Sequence, residues 1–186
     1  MMNNFQYAFK LKFNVCDIIN DKWQRPFIQD LFFVKNYDNV TDWQNIVNEK
    51  FLDLCNKKLP IYRIMVFNKP RVWCSTDAHI DPGVPFALNV IFNDSNAKMQ
   101  WLQPISTIPK PVSYTTANTP YQNYHDGELN LMHEECLQDD VWIVRTDVPH
   151  RIKIGDTART CVSLRFTTQV KDWDQAYNLF RELDWI

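Results

Sequence analysis

Two imidazoles and one carboxylate carry the chemistry most readily read from this chain: His79-Ile80-Asp81, and His150 in the run Val148-Pro149-His150-Arg151-Ile152. Imidazole and carboxylate together suit iron(II), manganese or zinc, and three protein ligands leave coordination positions open on one side of the metal. Open positions admit oxygen and a co-substrate, so the set favours redox iron, in the facial arrangement of two histidines and one carboxylate. The chain has four histidines. His133-Glu134-Glu135-Cys136 is not followed by a second histidine at the spacing of a zinc HExxH motif, and His125-Asp126-Gly127 reads as a loop turn. Both are expected on the surface or beside a substrate.

The elements around the three residues must bring them together. Residues two apart on a strand share a face, so His79 and Asp81 can point the same way from one strand end, which Pro82-Gly83 then breaks. His150 follows the turn Thr146-Asp147-Val148-Pro149 at the start of another short strand. If those strand ends meet across a barrel mouth, three ligands converge. A dicarboxylic keto acid as co-substrate would need a buried cation for its far carboxylate, and the planar fork of arginine matches a carboxylate best. Arg159 stands past the Gly155 turn at the head of the next strand, and Arg165 lies on the same face of that strand. Either can fill the role, but not both.

The rest of the pattern reads as one domain in three parts: a mixed helical stretch over 1–58, a β-rich core over 59–170 and a C-terminal helix over 171–186. Thr41 or Asp42 is expected to cap a helix running to about Lys57, with Trp43, Ile46, Val47, Phe51, Leu54 and Cys55 along one side. From Leu59 onward short β-rich runs recur between turn signals, at 61–67, 87–92, 99–102, 141–145, 151–154 and 160–166, which argues for a β-sandwich or barrel. Asn93-Asp94-Ser95-Asn96 and Gly155-Asp156-Thr157 are expected hairpin turns. The weakly patterned stretch from Pro104 to Asn130, with Tyr114, Tyr121, Tyr124 and His125, is the expected substrate lid. Trp73, Phe86, Trp101 and Trp142 stand near the expected mouth, where they can keep it dry or simply fill core.

Composition bounds the remaining classes. The 186 residues are 45% hydrophobic and 23% charged, the balance of a globular domain with a sizeable core. A net charge of -2 argues against nucleic acid as partner, and the substrate is expected to be a small molecule or a peptide. No apolar run is long enough to span a bilayer, and residues 1–6 lack a secretory pattern. The five cysteines form no CxxC pair and are expected as reduced thiols of a cytoplasmic protein.

Taken with Ala87-Leu88-Asn89-Val90, Trp101, Arg159 and Val162-Ser163-Leu164-Arg165-Phe166, the metal-ligand pattern resembles the iron(II)- and 2-oxoglutarate-dependent oxygenases. It is similar more narrowly to small single-domain members found among phage and marine microbial sequences. The resemblance covers roughly residues 60–168. It implies a double-stranded β-helix, a jelly-roll or cupin-like barrel with iron at one mouth. It implies iron ligation by His79, Asp81 and His150, and 2-oxoglutarate bound by Arg159, or by Arg165, because many members place that basic residue a position or two later. Asn89 is a further cofactor-side candidate and Trp101 a core one. The implied reaction uses O2 and 2-oxoglutarate to hydroxylate a substrate, releasing succinate and carbon dioxide. Two other readings stand beside it. One is a cupin-like metal-binding protein with a non-2-oxoglutarate activity, although such sites often use an HxH pair where this chain has Asp81. The other is a non-catalytic β-sandwich that binds or builds.

Overall fold

The computed structural model describes residues 7–21, 31–36, 46–69, 77–92, 96–115, 118–138, 140–153, 155 and 159–186, with backbone alone for 31–36, 68 and 69. A short strand β1 (Ala8–Lys10) and a single helical turn α1 (Val15–Ile18) open the chain, followed by β2 (Leu31–Asn36) and helix α2 (Glu49–Lys58). Ten strands then run from β3 (Ile61–Lys69) through β4 (Ala78–Ile80), β5 (Phe86–Phe92), β6 (Lys98–Pro104), β7 (Ser113–Tyr114), β8 (Pro120–Tyr124), β9 (Leu129–Glu135), β10 (Asp140–Arg145) and β11 (His150–Lys153) to β12 (Arg159–Phe166). Helix α3 (Trp173–Glu182) closes it.

The strands form two six-stranded antiparallel sheets, ordered β1-β10-β5-β12-β3-β2 and β7-β8-β4-β11-β6-β9. The protein is therefore a mainly β sandwich with flanking helices. From β3 to β6, and again from β9 to β12, consecutive strands alternate between the two sheets. The central strands β5 and β12 are buried at every residue, because both faces of the first sheet are covered. Alternation along β5 shows how. Leu88, Val90 and Phe92 join the larger core with the helices, whereas Ala87 and Ile91 join a smaller core with Met99 and Trp101 of the second sheet. The site residues stand in that intersheet layer.

The helices seal the outer face of the first sheet. Asp172 caps α3 by accepting from the Gln175 N–H at 2.9 Å, and Trp173, Ala176 and Phe180 are buried from it. Phe180 meets Phe86 edge-on at 5.2 Å between centroids. Helix α2 begins at Glu49, later than the pattern predicts, because Asn48 is the residue that caps it, accepting from the Lys50 N–H at 2.9 Å. Val47 is extended instead and bridges Ile19, while the expected caps Thr41 and Asp42 lie outside the described residues.

Two further expectations change. The turns after β5 and β11 do not make hairpins: β5 and β6 belong to different sheets, as do β11 and β12, so each connection crosses the sandwich. Residues 93–95 and 156–157 themselves lie outside the described set. The crossings pack together at Gly155, where an added Cβ would fall on the side-chain amide of Asn96. Gly155→Ala should therefore lower stability by about 1–3 kcal/mol through overpacking. Urea unfolding of the single and double variants should show Asn96→Ala relieving part of the loss, a non-additivity expected of groups in contact. The expected lid over 104–130 is, in the described part, about half regular structure: β7 and β8 extend the second sheet and a 3-10 turn (Asp126–Glu128) follows them, while 105–112 carries no strand or helix.

Candidate metal centre

A row of paired residues crosses the second sheet. His79 in β4 lies directly opposite His150 in β11, and His79 also lies opposite Asn123 in β8. Direct cross-strand partners project from the same face, so the two imidazoles come together, with ring centroids 4.6 Å apart. Asp81 follows β4 at a tight turn. Its carbonyl accepts from the Val84 N–H at 3.1 Å, Pro82 occupies the first central position and Gly83 the second with φ +74, the requirement of a type II turn. The Asp81 N–H donates to the Thr146 carbonyl at 3.1 Å, tying this turn to the segment that leads into His150. One potential ligand atom from each of His79, Asp81 and His150 lies within 4.8 Å of the others.

Hydrogen bonds orient all three side chains. His79 Nδ1 meets the Asp77 carbonyl at 3.0 Å and His150 Nδ1 meets the Val148 carbonyl at 2.9 Å. A carbonyl only accepts, so each Nδ1 carries the proton, and a neutral ring then presents its Nε2 lone pair to the centre. Burial pushes His150 down to about 4, helped by the neighbouring His79 and opposed by Asp81, so at neutral pH it is the free base that a metal requires. Burial pushes the Asp81 carboxyl up, but Arg165, His150 and His79 outweigh it and hold the group below its ordinary value. Arg165 Nη2 donates to Asp81 Oδ2 at 2.6 Å, while Oδ1 turns toward His79 Nε2 at 3.7 Å. The carboxylate thus keeps one oxygen on the arginine and offers the other to the centre. Two imidazoles that present Nε2 and one oriented carboxylate are a donor set that fits a divalent first-row metal.

Two cavities meet at this point. The smaller, about 100 Å³, runs between the sheets past His79 and His150 and is lined by Asn89, Met99, Thr146, Arg159, Cys161 and Ser163 among others. Arg159 is 6% exposed there. Burial pushes the Cys161 thiol up, with the Arg159 charge and hydrogen bond opposing, so these two side chains are neighbours. Asn89 Oδ1 and Arg165 Nη1 are buried without a hydrogen-bond partner, which leaves polar capacity for a bound molecule. The larger cavity, about 310 Å³, lies across His79, Asp81 and Arg165 and is walled by β3 and the β7–β8 arm.

Of the residues singled out in the sequence, His79, Asp81 and His150 come together, and Arg159, Arg165 and Asn89 line the smaller cavity beside them. Arg165 is engaged with Asp81, so the two arginines occupy different places. His125 and His133 are exposed, and His133 stacks on Tyr7 at 5.2 Å. Tyr121 lines the larger cavity, whereas Tyr124 is buried beside Ala78, Leu102 and Leu129, and Tyr114 is exposed. Phe86 packs on the helix side of the first sheet, Trp101 is core, and Trp142 is half-buried with Nε1 on the Gln138 carbonyl. Trp73 lies outside the described residues. The aromatic that does line both cavities is Phe67. It was missed, with Met99, Thr146 and Asp77; of these, only Asp77 carried a signal, its two-residue offset from His79.

Fold and site together define a two-sheet β protein with a candidate three-ligand metal centre. No protein-family model and no curated protein matches the chain. Among solved structures it is similar to E. coli ycfD, at 16% identity and a TM-score of 0.42, over 88% of this chain and 44% of that one. It is similar also to Peruvianin-I, a cysteine peptidase from Thevetia peruviana latex, at 16% identity and 0.33, over 83% and 75%. A vicilin from Solanum melongena aligns at 10% identity and 0.35, over 88% and 36%. The chain thus spans less than half the length of ycfD, and likenesses this distant leave function to the chain's own geometry.

Proposed function

We propose that this protein is an iron(II)- and 2-oxoglutarate-dependent oxygenase that hydroxylates a substrate C–H bond. The observation that carries the reading is the convergence of His79, Asp81 and His150 at the junction of two cavities, one of which holds the buried Arg159. The alternation of consecutive strands between the sheets supports a double-stranded β-helix, the fold that the sequence resemblance implies. Iron(II), 2-oxoglutarate and O2 supply the chemistry when bound: oxidative decarboxylation to succinate and carbon dioxide, coupled to hydroxylation.

The chain's own residues do the rest. His79 and His150 present Nε2, and Asp81 presents the oxygen that Arg165 leaves available. Arg159 receives the far carboxylate of 2-oxoglutarate in the smaller cavity, where Met99, Val144 and Ile152 exclude water. Asn89 offers its unpartnered side chain on the same wall. The larger cavity leaves room for the substrate on the other side of the ligands.

Anaerobic addition of iron(II) and 2-oxoglutarate should give a weak visible metal-to-ligand charge-transfer band. His79→Ala or His150→Ala should remove it. No band with the unaltered protein, and no succinate on admitting air, would sink the assignment.

A further inference from the structure

The larger cavity carries information about what it takes. Asn123 is the direct cross-strand partner of His79, and Asp77 stands two residues before His79. Both, with Tyr121 and the hydroxyl residues Thr115 and Thr119, make a polar wall facing Met65 and Phe67 of β3. Its charges are few. Arg165 and Asp81 offset one another across their 2.6 Å bond, which leaves the exposed carboxylate of Asp77 as the lining charge with no partner among the described residues. Thr119 Oγ1 already accepts from Arg63 Nη1 at 2.8 Å, and Thr115 Oγ1 from the Thr119 N–H at 3.1 Å. Arg63 itself is not among the residues that line the cavity. Among the described residues lining the cavity, Asp77 is therefore the one carboxylate without a charged partner.

The geometry points to a primary ammonium as the substrate's recognition group, bound by Asp77, with a short aliphatic stem lying on Met65 and Phe67. A cation suits a lone carboxylate, and an anion entering this wall would meet it unfavourably. Two residues of strand span about 7 Å, so a nitrogen held at Asp77 places a carbon a few bonds away beside the metal ligands. The ammonium can belong to a free amine or amino acid, or to a lysine side chain of a polypeptide. The fate of the bound carbon rests on the oxygenase reading; the recognition of the cation does not.

Binding is the test. The full chain, metal-free and zinc(II)-loaded, is titrated by calorimetry and saturation-transfer NMR with butylamine, butanol and butyrate, and with a short acetylated peptide containing one lysine. Butylamine should bind about two- to fivefold more tightly than butanol or butyrate, the range of one partly solvated charge pair. Asp77→Asn should erase that preference while melting temperature and zinc affinity stay unchanged, since among the described residues none is held by the Asp77 carboxylate. The peptide binding more tightly than butylamine assigns the ammonium to a polypeptide, and the reverse assigns it to a small molecule. Butyrate binding as well as butylamine, or Asp77→Asn leaving amine binding intact, overturns the inference. Failure to bind zinc while the amine preference persists would instead count against the oxygenase reading alone.

Discussion

Asp81→Ala should abolish iron(II) binding and, in the metal-free protein, lower stability by about 3–5 kcal/mol. Two effects have one cause. The carboxylate is a proposed ligand through Oδ1, and through Oδ2 it is the partner of Arg165, with both side chains about nine-tenths buried. Removing it takes away a ligand and strands a guanidinium whose Nη1 already lacks a partner. An uncompensated buried charge is costlier than a missing pair. Asp81→Ala combined with Arg165→Met should therefore recover much of the stability while binding no metal. Urea unfolding of the metal-free variants reads the first effect and metal analysis after dialysis reads the second. A double variant as unstable as the single one would show that the turn at Pro82-Gly83 needs the Asp81 side chain itself. A single variant that still binds iron would remove Asp81 from the site.

The candidate ligands were legible in the sequence because each sits where strand geometry has local rules. Alternation put His79 and Asp81 on one side, and Pro82-Gly83 was visible as the break that ends their strand. The strands β3, β5, β6, β10 and β12 were legible for a related reason: their buried apolar runs are bounded by turn residues, whereas β11 was marked by the alternation in Arg151-Ile152-Lys153-Ile154. Pairing was not legible. Nothing local in Asn93-Asp94-Ser95-Asn96 distinguishes a hairpin from a crossing to the other sheet; that choice is made by which sheet buries the next strand. Strands β7 and β8 escaped for the opposite reason. Pro120-Tyr121-Gln122-Asn123-Tyr124 lies at one end of its sheet, and its polar side chains face a cavity or solvent, so no apolar alternation marks it. Phe67 and Met99 looked like ordinary core residues, because a cavity wall and a core are written with the same side chains. The different neighbours of the two arginines were equally hidden, since both lie on one face of β12: Arg165 meets Asp81, whereas Arg159 sits beside Cys161.

That difference gives the second large effect. Arg159→Ala should raise the dissociation constant for 2-oxoglutarate about a hundredfold, the scale of losing one partner of a buried charge pair, with metal affinity unchanged. Arg159→Lys should recover only part of it, because an ammonium cannot reproduce the two parallel bonds of the guanidinium fork. Arg165→Ala should do the reverse, weakening metal binding about 10–100-fold through the loosened carboxylate and affecting 2-oxoglutarate mainly through the metal it chelates. Calorimetric titration of zinc(II)-loaded protein with 2-oxoglutarate, beside zinc titration of the metal-free protein, separates the two in one set of variants. Arg159 is the better placed for the far carboxylate because it is buried in the smaller cavity away from Asp81, whereas the guanidinium of Arg165 is already bound to the ligand carboxylate at 2.6 Å. If Arg165→Ala raises the 2-oxoglutarate constant at full zinc occupancy and Arg159→Ala does not, the roles are exchanged. Arg159 would then be a neighbour of Cys161 that rigidifies the start of β12.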